Sequence, residues 1–211
     1  MEYEFATTTS HKDLMGLSET EKNLLKEKIA KWNGVIRVFV HPSFMPANHH
    51  EKALVDFPGS EDTEKYVKRI LNLSDTPPVI VMEEHKNYDT SKQRFEKGSK
   101  QQAYFVETEN SDSSLFGDPK GFEKLADLFS ELGVQKVLIG DQILWIDTDY
   151  IQDAGNLKIH DDYGYEDQRP WVGGCVGKVI EQLNDPRFKI EISYISYPDN
   201  PSKLRNTMSQ K

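Results

Sequence analysis

Apolar residues in this chain gather in short dense runs, separated by stretches in which they recur every three or four positions. Four runs predict strands. Val35-Ile36-Arg37-Val38-Phe39-Val40 stops at His41-Pro42, and Val79-Ile80-Val81-Met82 stops at Glu83-Glu84-His85. Lys136-Val137-Leu138-Ile139 stops at Gly140-Asp141, and Ile190-Glu191-Ile192-Ser193-Tyr194-Ile195 stops before Pro198. Near-continuous β-branched runs suit central parallel strands covered on both faces. Ala103-Tyr104-Phe105-Val106 adds a shorter strand to the sheet or its edge. Ile143-Leu144-Trp145-Ile146 is a candidate strand extension.

The intervening stretches predict helices. Ser18-Glu19-Thr20-Glu21 forms a capping-box pattern with Leu17 placed to staple the first turn. Leu24, Leu25, Ile29 and Trp32 then predict a helix over 19–32, ended by Asn33-Gly34. Residues 61–73 carry Tyr66, Val67, Ile70 and Leu71. Residues 120–132 carry Phe122, Leu125, Leu128, Phe129 and Leu132 before a closing Gly133. Residues 175–183 carry Val176, Val179, Ile180 and Leu183.

Strands alternating with helices predict an α/β fold: three layers, α/β/α, around a mainly parallel, doubly wound sheet. The expected organisation is an N-terminal arm and helix (1–33), a single α/β domain (34–198) and a mobile C-terminal tail (199–211). Residues 1 to about 16 read as a loose arm. Two long loops interrupt the domain, 41–59 and the acid- and tyrosine-rich 147–170. Loops of such length in a compact domain are usually lids, binding loops or disordered inserts.

Composition narrows the function classes. The chain has 211 residues, 36% hydrophobic and 29% charged, which is polar without being compositionally disordered. A formal net charge of -9 disfavours nucleic acid or an anionic membrane as partner, because both repel it. One cysteine makes no internal disulfide, and Met1-Glu2-Tyr3-Glu4-Phe5 lacks a signal-peptide pattern, so a cytoplasmic location is expected. No apolar run is long enough to span a bilayer. Trp32, Trp145 and Trp171 are candidate anchors for a homo-oligomer interface, although a core role suits the first two better.

In open parallel sheets ligands bind beyond the carboxyl ends of the strands, where strand order reverses. The strand ends here offer His41, then Glu83, Glu84 and His85, then Asp141. Cys175 stands among glycines in Trp171-Val172-Gly173-Gly174-Cys175-Val176-Gly177, at the predicted start of a helix. Unpaired amides and the helix dipole favour a thiolate there. One reading makes Cys175 a nucleophile, with His41 or Glu84 as base, Asp141 orienting the base or binding substrate, and the amides of Val176 and Gly177 as oxyanion donors. The other makes it a small apolar residue fitted to a turn permitted by Gly173 and Gly174.

Gly174, Val176 and Gly177 also form a candidate anion nest, but one lacking the lysine and hydroxyl of a P-loop. Tyr163, Tyr165 and Trp171 could stack on a planar ligand or pack a lid down. His49, His50 and Glu51, or His160, Asp161 and Asp162, offer metal-ligand types without helical ligand spacing, so solvated loops and no metal are expected. No cofactor motif is present.

The stretch from Val106 to Leu183 resembles the isochorismatase-like cysteine hydrolases. The residues that carry the likeness are Ser114-Leu115-Phe116-Gly117, the helix from Phe122 to Gly133, Val137-Leu138-Ile139-Gly140, and Cys175-Val176. His41-Pro42-Ser43-Phe44 stands where that family has an acidic residue shortly before a phenylalanine. The likeness implies a Rossmann-like α/β hydrolase with an aspartate, lysine and cysteine triad. This chain departs from it. His41 occupies the aspartate's place, Asn110 stands near the lysine's, and 34 residues separate Gly140 from Cys175. The expectation is a small-molecule hydrolase or acyl-transfer enzyme of the cysteine-hydrolase type. The alternative is a non-catalytic α/β module that binds a ligand or protein through its long loops.

Overall fold

The computed structural model describes residues 9–42, 67–109, 115–118, 120–141, 158–159, 171–172, 179–180, 182–183 and 190–194. The first regular element is β1 (Lys12–Asp13), followed by α1 (Glu19–Lys31) and β2 (Val35–Val40). A helical segment at 67–71 (α2) precedes β3 (Val79–Glu84), and a single 3-10 turn at His85–Asn87 leads into α3 (Tyr88–Glu96). Then come β4 (Ala103–Thr108), α4 (Gly121–Glu131) and β5 (Lys136–Asp141). Two short strands, β6 (Lys158–Ile159) and β7 (Trp171–Val172), precede β8 (Glu191–Tyr194). Residues 179–180 and 182–183 are helical.

The main sheet has the order β1-β4-β3-β2-β5-β8, and each of its pairings is parallel. The chain lays down β2, β3 and β4 in one direction, then crosses β2 to place β5 and β8 on its other side. This is a doubly wound α/β fold with its reversal between β2 and β5.

Side chains alternate across each strand, so the sheet separates two cores. Ile36, Val38, Val40, Ile80, Met82, Val137 and Ile139 pack against α1, α4 and the helical residues Val179, Ile180 and Leu183. Phe39, Val79, Val81 and Phe105 face the opposite way and pack against α2 and α3. Right-handed crossovers dictate this arrangement: connections that run toward the β4 side of the sheet (α2, α3) cover one face, and those that run toward the β8 side (α1, α4 and the helical residues 179–180 and 182–183) cover the other.

Local signals account for most boundaries. Ser18 and Glu21 form the expected capping box, and Leu17 is buried beside it. Asn33 and Gly34 both take positive φ (53° and 79°), which reverses the chain into β2. Leu24, counted on the buried stripe of α1, instead faces solvent at 54% exposure.

Three features differ from the sequence expectation. Residues 9–14 are no loose arm: β1 pairs with β4, Leu14 is buried, and Thr9 Oγ1 donates to the Ser99 carbonyl at 2.5 Å. The second is α3, whose nine residues carry only two large apolar side chains, Tyr88 and Phe95, seven positions apart. Buried Ser91 completes its stripe by donating to Glu83 Oε2 at 2.9 Å, so a polar contact does what a leucine does elsewhere. Finally, β3, β4 and β5 each run two residues beyond their apolar runs. The parallel ladder continues through Glu83–Glu84 and Glu107–Thr108 because the partner strand keeps supplying hydrogen bonds. Within the predicted 147–170 loop, Lys158–Ile159 pairs in parallel with Trp171–Val172 just beyond it.

Candidate functional site

The carboxyl ends of β2, β3, β4 and β5 lie side by side. Val40 is the register partner of both Met82 and Asp141, and Glu84 is the partner of Thr108. His41 therefore emerges beside the strand-order reversal. Its backbone is left-handed (φ 51°), a conformation that costs a non-glycine residue energy and is held here by its own amide donating to the Met82 carbonyl at 2.7 Å.

That turn sends the imidazole across the end of β3. His41 Nε2 lies 2.8 Å from Thr108 Oγ1, and the imidazole tautomer decides which of the two donates. His41 is 1% exposed and Thr108 0%. Glu84, in register with Thr108, is likewise 1% exposed, and its carboxylate accepts no hydrogen bond among the described residues. Lys86 Nζ stands 2.8 Å from Glu84 Oε2, so the charge is balanced by an ion pair whose approach is poorly aligned for a hydrogen bond. The lysine is half exposed, which places this pair at the rim of the edge.

A second polar group lies on the α3 side. Glu83 accepts from Ser91 and, through Oε1, from the Glu84 amide at 3.2 Å. Glu107, in register with Glu83, contacts His85 Nδ1 at 2.5 Å. His85 also stacks on Phe116 with ring centroids 3.8 Å apart and planes 5° from parallel. Residues 115–118 fold back over β4: Leu115 bridges Thr108, and the Phe116 amide donates to the Glu107 carbonyl at 3.1 Å. Burial pushes the Tyr88 hydroxyl well above its ordinary pKa, helped by the carboxylates of Asp13, Glu107 and Asp89, so it stays a neutral donor.

The arrangement can perform acid–base chemistry. It holds an imidazole in a fixed rotamer, a hydroxyl against one ring nitrogen, and a buried carboxylate one strand away. Among the described residues no three histidine, cysteine or acidic side chains are grouped to hold a metal ion.

Of the residues nominated from sequence, His41 and Glu84 are brought to this edge, together with the backbone of Asp141. Trp171 lies in β7. Cys175, Gly174, Val176, Gly177, Tyr163 and Tyr165 lie outside the described residues, as do His49, His50, Glu51, His160, Asp161 and Asp162. Thr108 was not nominated. Its signal was the alternation Tyr104, Val106, Thr108, which carries the strand two residues past its apolar run.

No protein-family model, curated protein or solved structure matches this chain. Among the described residues, no helix is long and apolar enough to cross a membrane.

Proposed function

We propose that the chain is a small-molecule hydrolase or acyl-transfer enzyme of the cysteine-hydrolase type, with its site at the carboxyl edge of β2, β3 and β5. The observation that carries the reading is the burial of His41 against Thr108 at the strand-order reversal, with Glu84 in register beside them. In this proposal the Cys175 thiol passes its proton to His41 and its sulfur attacks the substrate carbonyl, forming a carbon–sulfur bond. His41 returns the proton to the leaving group. Water, activated by the same imidazole, then breaks the acyl–sulfur bond and regenerates the thiol. Glu84 and Asp141 orient the imidazole or the substrate, and the amides of Val176 and Gly177 stabilise the oxyanion.

Support for including Cys175 is positional. It stands four residues before Val179 in the sequence, and the helical residues 179–180 and 182–183, between β5 and β8 in the chain, pack on the sheet. In a parallel crossover such a helix begins at the carboxyl edge of the strands. The isochorismatase-like likeness points to the same cysteine, and the proposed substrates are amides, esters or thioesters of small carboxylic acids.

Alkylation of Cys175 by iodoacetamide, followed against pH, tests the reading. Wild-type labelling is expected to reach half its maximum rate below about pH 8, and His41→Asn to move that midpoint upward. A wild-type rate that climbs only above about pH 8, unchanged by His41→Asn, removes the basis of the proposal. With a turned-over substrate, His41→Asn is expected to lower kcat by about 100-fold or more.

A second reading, a non-catalytic binding module, draws on the burial of both His41 and Glu84, neither of which reaches solvent. It expects Cys175→Ser to leave ligand binding and stability unchanged. Loss of a measured turnover in that variant, with the fold intact, eliminates it.

A further inference from the structure

The opposite, amino edge of the sheet carries a groove of about 530 Å³ between the C-terminal end of α1 and the segments 72–78 and 100–102. Its volume falls in the range of small-molecule sites. Lys28 and Lys31 line it from the last turn of α1 and Lys100 from the segment before β4, and Trp32 and Tyr104 line it with them.

The charge balance here runs against that of the whole chain. Acidic residues outnumber basic ones 35 to 26, and Lys12, Lys22, Lys86, Lys124 and Lys136 each pair with a carboxylate. Lys28, Lys31 and Lys100 make no ion pair among the described residues, although Asp75 lies in the same groove. The α1 dipole accounts for a preference for cations at its C-terminal end. It does not account for Lys100, which belongs to a different segment.

The walls are tied in place before any ligand arrives. Asn72 Nδ2 donates to the Lys68 and Gly98 carbonyls at 2.8 Å each, and the Gln101 amide donates to the Leu71 carbonyl at 2.9 Å. Lys28 Nζ is held 5.9 Å from the centre of the Tyr104 ring and 3.5 Å from its hydroxyl. A preformed wall lowers the ordering cost of binding.

We propose that this groove binds a small phosphorylated compound with a planar ring, its phosphates among Lys28, Lys31 and Lys100 and its ring on the half-buried Trp32. Ammonium groups suit phosphate as point charges, and an indole face suits a planar ring. The groove lies across the sheet from His41, so it stands or falls independently of the hydrolase reading.

Isothermal titration of the full chain with ATP, pyrophosphate and adenosine, in EDTA at low salt, tests this. ATP is expected to bind more tightly than either fragment and to weaken as sodium chloride is added. Replacing all three lysines by glutamine is expected to weaken ATP roughly tenfold or more, each exposed cation contributing about two- to fivefold. Asp75→Asn is expected to tighten it. No binding of ATP, or equal binding by the triple-lysine variant, overturns the site. Pyrophosphate binding as tightly as ATP overturns the planar-ring assignment. The replaced lysines are solvent-exposed, and a circular-dichroism spectrum matching wild type establishes that any loss is not unfolding.

Discussion

His41 and Thr108 touch across a whole strand: β3 lies between the strands they follow and end, yet Nε2 and Oγ1 are 2.8 Å apart. Two neighbouring gaps in a sheet span about 9.5 Å, so only a side chain turned back over the edge can close that distance. The left-handed backbone of His41 supplies the turn. Thr108→Val is expected to destabilise the fold by about 1–3 kcal/mol, because it leaves a buried ring nitrogen without this partner. It should also shift the His41 Nε2 resonance, whereas Thr108→Ser retains it. Urea unfolding and imidazole nitrogen spectra read the two effects, and an unmoved resonance in the valine variant would show the contact to be idle.

Gly121 opens α4 directly beneath Leu115, and a β-carbon there would sit 2.4 Å from Leu115 Cβ. Neither atom belongs to a flexible chain end, so the backbone must move. Alanine normally improves a helix by up to about 1 kcal/mol over glycine. Here the clash is expected to dominate, and Gly121→Ala should cost about 1–3 kcal/mol in urea unfolding. Because Leu115 bridges Thr108, the same variant should raise amide exchange in residues 115–118.

The Ser18 amide and hydroxyl both donate to Glu21 Oε2, at 2.9 and 2.7 Å, and Lys12 Nζ lies 3.0 Å from Glu21 Oε1. These contacts pull the Glu21 carboxyl down to about 2. A lowered carboxyl binds its proton less readily folded than unfolded. Its contribution is therefore complete above about pH 4.5 and is lost as pH falls toward 2. Ser18→Ala should cost about 0.5–2 kcal/mol at pH 7, the range for a lost N-cap, and the deficit should shrink across that acid window. Thermal melts at pH 7 and pH 2.5 make the comparison. An equal deficit at both would assign the loss to something other than the carboxylate.

His11 is buried against Phe105, and its Nδ1 accepts from the Ala103 amide at 3.1 Å. Burial lowers its pKa below 6.5, the Phe95 carbonyl and Glu96 pulling weakly the other way and Lys92 adding slightly to the lowering. The unfolded chain thus takes up the proton first. Stability from the neutral imidazole is complete above about pH 6.5 and is lost as pH falls through the folded value. His11→Asn should flatten the stability profile between about pH 5 and 7 relative to wild type. Urea midpoints at half-unit steps test it, and an unchanged slope would exclude His11 as its source.

Much of the architecture was legible from local patterns. The runs 35–40, 79–82, 103–106 and 136–139 are adjacent parallel strands, as short runs rich in β-branched and aromatic residues buried on both faces favour. The Ser18-to-Gly34 helix was delimited at both ends by its own capping chemistry. The site was legible only in outline. Strand ends flagged His41 and Glu84, but Thr108 looked like the start of a loop.

What the amino-acid order determined here is whatever depends on neighbours within a turn or two: hydrophobic period, caps and chain reversals. What tertiary structure alone decided is which distant segments supply a missing partner. β1 exists because β4 offers an open edge, α3 is tied to the sheet by Glu83 receiving Ser91 as well as by its own apolar residues, and His41 finds Thr108 only because β3 brings β2 and β4 to a common edge. Such contacts depend on strand order and register, which one-dimensional periodicity does not encode.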